Sequence, residues 1–217
     1  MRFHDGGPGG GTLGYAYNQN TLATHIAHAV AVPAGQMTVL ERLNGPWHER
    51  AMQAFMVVVL AHWAEHLLQA LQIYALGWPV SEARGIVGYF LPWIIESELL
   101  HYGYAVVMLA GLWLLRPGFI GRADRRWWTV ALGIQFFHHV EHFLLLGQYW
   151  TGMHLFGAPL PTSLVQYWVP RVELHLFYNT IVFIPMTVAM YYHMFPPRSA
   201  ARLKCTCSWD HGVTASA

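Results

Sequence analysis

The chain has 217 residues, of which 55% are hydrophobic and 11% charged, and its formal net charge is +1. A soluble domain usually carries about 25% charged residues, so this composition favours an integral membrane protein. The small net charge provides no basic surface for nucleic acid, and we expect no nucleic-acid partner.

The N-terminal segment, residues 1–45, is rich in Gly and Ala and shows no apolar periodicity. We predict a flexible segment there, because such a composition buries too little apolar surface to offset the entropy of ordering. Residues 46–195 form the predicted membrane domain, and residues 196–217 form a predicted cytoplasmic C-terminal tail.

Four long apolar segments make up the membrane domain, at 50–77, 87–115, 127–149 and 163–194. Each supplies the roughly 20 residues that a helix needs to cross a bilayer. The connections between them contain Pro, Gly and charged residues, which are typical of turns. The sequence therefore predicts an all-α membrane protein with four transmembrane helices in a bundle.

Basic residues are distributed unevenly over the connections. The second connection contains Arg116, Arg122, Arg125 and Arg126, whereas the third contains no Lys or Arg. By the positive-inside rule, both termini and the second connection are predicted to be cytoplasmic. We expect the protein to lie in the plasma membrane of a bacterium. It could be a subunit of a larger membrane complex there.

The motif H-x-x-E-H occurs twice, as HWAEH at 62–66 and HHVEH at 138–142. A similar turn with Gly and Pro follows each copy. The pattern predicts two tandem helical hairpins related by a pseudo-two-fold axis along the membrane normal. When the hairpins are aligned on their prolines, Asn179 takes the place of His101, which indicates two inequivalent metal positions.

Histidine and glutamate side chains occur at similar predicted depth in all four segments. An ionised carboxylate at the centre of a membrane costs roughly 2.5–3.5 kcal/mol even on insertion scales, so several of them need a compensating charge. Helical spacing places His62, Glu65 and His66 together and repeats this in the second motif. The predicted metal ligands are His62, Glu65, His66, Glu98, His101, His138, Glu141, His142, Glu173 and His175.

Mixed imidazole and carboxylate ligands suit iron, and also manganese, zinc or copper. We predict a metal site at mid-membrane depth, dinuclear and with iron as the first candidate. A membrane-bound oxidoreductase could use it for redox or oxygen chemistry on a lipid-soluble substrate or quinone. No catalytic residue is assigned, although Tyr102 or Tyr178 could pass electrons or protons.

Two alternative functions stay open at this point. Histidines on different helices could ligate haem in a b-type electron-transfer protein, although such a site needs little carboxylate. Buried His and Glu could instead relay ions or protons in a transporter.

Two further features lie outside the predicted site. His139 points away from the face that carries His142, which indicates packing or a supporting role. Cys205 and Cys207, with His211 nearby, could bind a soft metal, but a C-x-C pair in a polar tail often arises by chance.

Overall fold

The computed structural model describes residues 37–93, 97–196 and 207. The chain divides into two compact units, Met1–Met37 and Thr38–Ala217, and only Met37 of the first unit is described. The predicted flexible segment and the predicted tail therefore fall largely outside the described residues, and the predicted domain boundaries stay predictions.

The described residues form helices joined by turns, without a strand among them. In chain order the helices are α1 (Val39–Leu43), α2 (His48–Ala70, continued by a π-helical turn at Leu71–Ala75), α3 (Val87–Phe90), α4 (Glu98–Leu115), α5 (Arg122–Thr151) and α6 (Arg171–Met194), with 3-10 turns at Arg116–Gly118 and Leu155–Gly157. The all-α prediction is confirmed.

Hydrogen bonds at both ends of α1 fix the start of the domain. The Glu41 carboxylate accepts a bond from the Thr38 backbone N–H at 2.7 Å, and this bond holds the pKa of Glu41 below its usual value. After the helix, the Asn44 side chain accepts from the Gly118 N–H and donates to the Leu114 carbonyl, both at 2.8 Å. The chain is thereby attached to the end of α4 before α2 begins.

Among the described residues, three helices are long and apolar enough to cross a membrane: His48–Ala75, Glu98–Gly118 and Arg171–Met194. The remaining long helix, α5, contains the predicted span 127–149 but is not among them. Its Gln, His and Glu residues lower its mean hydropathy. The helices thus support a membrane protein, while the four-span bundle and the pseudo-two-fold axis stay predictions.

Two of the predicted spans become helical later than predicted. The predicted span 87–115 has its long helix only from Glu98, and the predicted span 163–194 only from Arg171. Helix α6 starts there because Pro170 precedes it with an extended backbone. The missing N–H of proline costs no helical hydrogen bond at this position.

These later starts change the position of two predicted ligands. His101 and His175 lie near the starts of α4 and α6 rather than in the middle of long spans. The connections that precede these helices expose large aromatic side chains, including Phe90 and Trp168, each more than 70% exposed. Exposed aromatics of this kind are typical of the membrane–water interface.

Buried apolar side chains from all four long helices form one layer, called here the apolar layer. Helix α5 packs against α4 and α6, and α2 contacts the same two helices. The indole N–H of Trp128 donates to the Leu112 carbonyl at 2.7 Å inside this layer. The layer comprises Met52, Phe55, Val59, Met108, Leu112, Leu115, Phe119, Trp128, Ala131, Val182, Met186 and Ala189. The predicted site residues lie on one side of it along every helix.

Candidate metal centre

The first H-x-x-E-H motif brings two imidazoles into contact on one face of α2. Residues four apart on a helix are neighbours, and the Nε2 atoms of His62 and His66 are 3.0 Å apart. Two imidazole ligands bound at about 2.0–2.1 Å to one ion have nitrogens at a similar separation. The other ring nitrogen of His66, Nδ1, lies 2.8 Å from Gln69 Oε1, which fixes the ring.

The second motif forms a tighter group with a histidine of α6. One ring nitrogen from each of His138, His142 and His175 lies within 4.8 Å of the other two, and all three side chains are buried. His138 Nδ1, His142 Nδ1 and His175 Nε2 have no hydrogen-bond partner. Because buried polar atoms in native proteins are almost always paired, three unpaired nitrogens in one place favour a bound ion. These buried histidines could hold a metal ion.

His101 and His175 are held in the same way at the starts of their helices. His101 Nδ1 lies 3.0 Å from the Ser97 carbonyl, and His175 Nδ1 lies 2.7 Å from the Arg171 carbonyl. A carbonyl only accepts, so Nδ1 carries the proton and Nε2 keeps its lone pair. A metal-binding histidine is usually oriented by a hydrogen bond of this type.

Ring contacts join these side chains into one group, called here the imidazole cluster. Its members are His62, His66, His101, His138, His142 and His175. The rings of His66 and His175 are 5.4 Å apart between centroids, and those of His101 and His142 are 6.3 Å apart. The structure therefore brings together every histidine of the predicted site, from four helices.

Two of the predicted glutamates hold the connection that follows their own motif. Glu65 Oε1 accepts from the Gly88 N–H at 3.1 Å. Glu141 accepts from the Val165 N–H at 2.9 Å and from the Ser163 hydroxyl at 3.1 Å. Each carboxylate thus supplies the acceptor for a backbone N–H of the connection.

The other two predicted glutamates pair across helices. Glu98 forms a two-pronged ion pair with Arg171, at 2.5 and 2.8 Å, and Glu173 accepts a hydrogen bond from the Tyr74 hydroxyl. Each predicted glutamate thus accepts a hydrogen bond from another part of the protein. Their role as metal ligands stays a prediction.

Two tyrosines stack on the cluster, and only one of them was expected there. Tyr178 lies over His138 at 4.3 Å between ring centroids, and Tyr104 lies over His62 at 3.5 Å. Tyr102 packs instead against His139. The sequence did contain a signal for Tyr104, because H-x-x-Y occurs at 101–104 and again at 175–178.

The H-x-x-Y pattern comes with matching contacts at 101–104 and at 175–178. Both His101 and His175 bond a carbonyl four residues earlier, and the tyrosine three residues later stacks on the first histidine of an H-x-x-E-H motif. The alignment of Asn179 with His101, and the pseudo-two-fold axis behind it, stay predictions.

Two sets of histidines are called here the first trio (His62, His66 and His101) and the second trio (His138, His142 and His175). They differ in access. An apolar cavity of about 420 Å³ borders every histidine of the first trio and is lined also by Val57 and Leu100, which are 67% and 39% exposed. All three side chains of the second trio are buried.

A second, more polar cavity of about 210 Å³ reaches the cluster from the side of the connections. His66, His101 and His175 line it together with Arg171 and Gln69. The site thus has one apolar opening on its flank and one polar opening at its end, and its nitrogen donors are imidazoles. Comparison with protein-family models, curated proteins and solved structures finds no match for this chain.

Proposed function

We propose that the chain is an integral membrane protein that binds two metal ions in the imidazole cluster and uses them for redox or oxygen chemistry on a lipid-soluble substrate. One observation carries the proposal: six imidazole rings from four helices meet beside a cavity that opens among apolar, exposed side chains. The second trio offers one ion three nitrogen ligands within 4.8 Å of one another, and we assign the second ion to His62, His66 and His101. Sites with three protein ligands keep a coordination position for a substrate.

The donor set bears on which metal is bound. Iron was expected from mixed imidazole and carboxylate ligands, but the carboxylates beside the cluster already accept hydrogen bonds from the protein. Imidazole alone suits copper and zinc as well as iron. We therefore propose that the metal of this redox centre is iron or copper. Bound zinc would instead indicate a structural or hydrolytic site.

The surrounding side chains have distinct tasks in this proposal. The apolar cavity admits the lipid-soluble substrate to the first trio, since its lining includes exposed Val57 and Val58. The polar cavity beside Arg171 admits water and protons. Tyr104 and Tyr178 keep the planes of His62 and His138 fixed by stacking.

We also propose that the two hairpins arose by duplication. Matching contacts support this: Gln72 Oε1 accepts from the Gly85 N–H at 2.8 Å, and Gln148 Oε1 accepts from the Thr162 N–H at 3.2 Å. The glutamate of each H-x-x-E-H motif accepts from a backbone N–H three residues further along. Chance similarity of apolar helices does not explain a shared order of hydrogen bonds.

The first experiment is elemental analysis and visible and paramagnetic resonance spectroscopy of the full chain, purified in detergent without added metal. We expect about two equivalents of iron or copper. A Soret band would replace the proposal by the haem alternative. Absence of bound metal, together with proton or ion flux in liposomes, would replace it by the transport alternative.

The second experiment blocks the apolar cavity. Ala61 lines this cavity. Ala64, three residues later, is exposed and does not line it. Ala61→Phe should slow the reaction of the metal centre with a short-chain quinol at least about tenfold and leave metal content unchanged. Ala64→Phe is the matched control. Equal rates in both variants would show that substrates do not use this cavity.

We further propose that the 3-10 turn at Arg116–Gly118 faces the cytoplasm and the turn at Leu155–Gly157 faces outward. The proposal depends on the arginines that flank the first turn. Single cysteines at Ala123 and Ala158, in a background without Cys205 and Cys207, should label from opposite sides of intact cells. Labelling of both from outside would contradict it.

A further inference from the structure

A second group of metal-binding side chains lies beyond the apolar layer, at the opposite end of the helices. His48 begins α2, His193 is near the end of α6, and Cys207 approaches them from the C-terminal segment. One ring nitrogen from each histidine and the Cys207 Sγ lie within 4.8 Å of one another. At 1.5 Å per residue, the fourteen residues from His48 to His62 separate this group from the imidazole cluster by roughly 20 Å.

His193 is oriented for metal binding by a carboxylate. Its Nδ1 lies 3.2 Å from Asp124 Oδ2, and both side chains are about 5% exposed. A carboxylate accepts, so Nδ1 carries the proton and Nε2 presents its lone pair to Cys207 Sγ, 2.9 Å away. A carboxylate that orients a histidine in this way is the usual partner of a metal-binding imidazole.

His48 presents a second lone pair to the same place. Its Nδ1 lies 3.2 Å from the Leu43 carbonyl, which requires a proton on Nδ1. The other nitrogen, Nε2, is buried without a partner in a side chain that is 0% exposed. Gly118 packs directly on the ring, where any Cβ would overlap it. A fully buried, unpaired acceptor held this firmly needs a ligand to explain it.

Methionines indicate which class of ion fits. A cavity of about 240 Å³ shares His193 and Cys207 with this group and is lined by four methionines, Met52, Met56, Met190 and Met194. Thiolate and thioether sulfur are soft ligands that select Cu(I) over harder ions. We propose that His48, His193 and Cys207 form a Cu(I) site whose methionine-lined cavity is the route by which the ion enters.

The ion would need only a small movement of Cys207. Metal–nitrogen and metal–sulfur bonds of about 2.0 and 2.3 Å place the two donor atoms about 3.5 Å apart, against 2.9 Å between Nε2 and Sγ here. The thiol proton leaves when the ion binds, so that affinity should fall at acidic pH.

The test is an anaerobic Cu(I) titration of the full chain in detergent against a chromogenic chelator, with ultraviolet detection of thiolate-to-copper charge transfer. This signal separates the site from the imidazole cluster, which contains no thiol. We expect one equivalent with a thiolate signal. Cys207→Ser should remove the signal and weaken this binding more than about 100-fold, because it deletes a ligand.

Two further variants give matched readings. Cys205→Ser, two residues away, should change neither the signal nor the affinity. Asp124→Asn should keep the thiolate signal but weaken binding about 10- to 100-fold, the range for residues that orient a ligand. The thermal midpoint of each metal-free variant shows whether it folds.

Three results would overturn the proposal. One is equal binding by Cys205→Ser and Cys207→Ser with loss only in the double variant, which would mean that the C-x-C pair binds copper without the histidines. Another is undiminished affinity in His48→Gln with a normal midpoint. The third is a site that takes Zn(II) or Co(II) in the presence of equimolar Cu(I).

Discussion

The first and second trios are built from the same parts in different surroundings. In each, an H-x-x-E-H motif supplies two imidazoles, a histidine near the start of the next long helix supplies a third, and a tyrosine stacks on the leading ring. In the second trio all side chains are buried and His175 borders the polar cavity, whereas every histidine of the first trio borders the apolar cavity among exposed residues. In the proposed function, the second trio would hold its ion away from lipid and the first trio would be the one that a lipid-soluble substrate reaches.

The hydrogen bonds around the two motifs differ in the same direction. Gln148 accepts from two backbone N–H groups and donates to the Thr162 carbonyl, whereas Gln72 accepts from the Gly85 N–H. Glu141 likewise accepts hydrogen bonds from the Ser163 hydroxyl and the Val165 N–H, whereas Glu65 accepts one from the Gly88 N–H. The second half is thus more firmly closed, and we expect it to bind its ion more tightly and react more slowly.

The largest effect should come from removing a ligand of the second trio. His142→Ala deletes one bond to the ion, and a metal present at roughly 1,000 times its Kd contributes about 4 kcal/mol to the free energy of unfolding. Metal content and the thermal midpoint should fall together, and added metal should restore part of both. His139→Ala is the control, since His139 packs on Tyr102 outside the cluster. Similar losses in both variants would contradict the assignment.

A middle-sized effect is expected from the two glutamates. Glu141→Ala leaves a part-buried N–H and the buried Ser163 hydroxyl unpaired, which should cost about 2–3 kcal/mol of unfolding free energy. Glu65→Ala leaves only the part-buried Gly88 N–H without this acceptor and should cost about 1 kcal/mol. Chemical denaturation in mixed micelles would measure both. Glu141→Gln should retain the metal. Loss of metal in this variant, with a normal midpoint, would make Glu141 a ligand after all.

The smallest effects concern two glycines with left-handed backbone. Gly152 has φ 66° and open space around it, so that Gly152→Ala should cost only the strain of that conformation, about 1 kcal/mol. Gly85 has φ 68°, and a Cβ there would also overlap the Glu65 carboxylate. Gly85→Ala should therefore cost more and weaken the first half specifically. Thermal midpoints of the two variants would show the difference, and equal shifts would mean that Glu65 moves aside freely.

The sequence was sufficient for the helices and for the clustering of the histidines. Apolar length indicated the long helices, and 3.6-residue periodicity placed His62 with His66 and His138 with His142. The occurrence of several histidines at similar depth also predicted that they contact one another, because a single imidazole in lipid needs a polar partner.

The starts of α4 and α6 were not predictable from apolar length alone. Pro170 stops its helix from extending backward, and the residues before it fold as a turn held by Glu141. Such a turn depends on a carboxylate far away in sequence. For the same reason, the bond from Glu141 to this turn was not foreseen: a buried glutamate beside histidines has the same sequence signature whether it binds a metal or a backbone N–H.

The group at His48 and His193 was missed for a different reason. These residues are separated by nearly the whole domain and lie at the ends of helices, where a histidine is unremarkable in composition. Only the packing of α2 on α6 brings them together, and only the tertiary structure places Cys207 beside them.

The apolar layer between the two groups has an electrical consequence. In a bilayer, most of a transmembrane voltage drops across the material of lowest polarity, and one elementary charge gains or loses about 2.3 kcal/mol per 100 mV when it crosses. A charge that reaches the imidazole cluster from the His48 end must pass this layer, whereas one that enters beside Arg171 need not. In the proposed redox reaction, the side from which electrons and protons arrive would therefore decide whether turnover is coupled to the voltage.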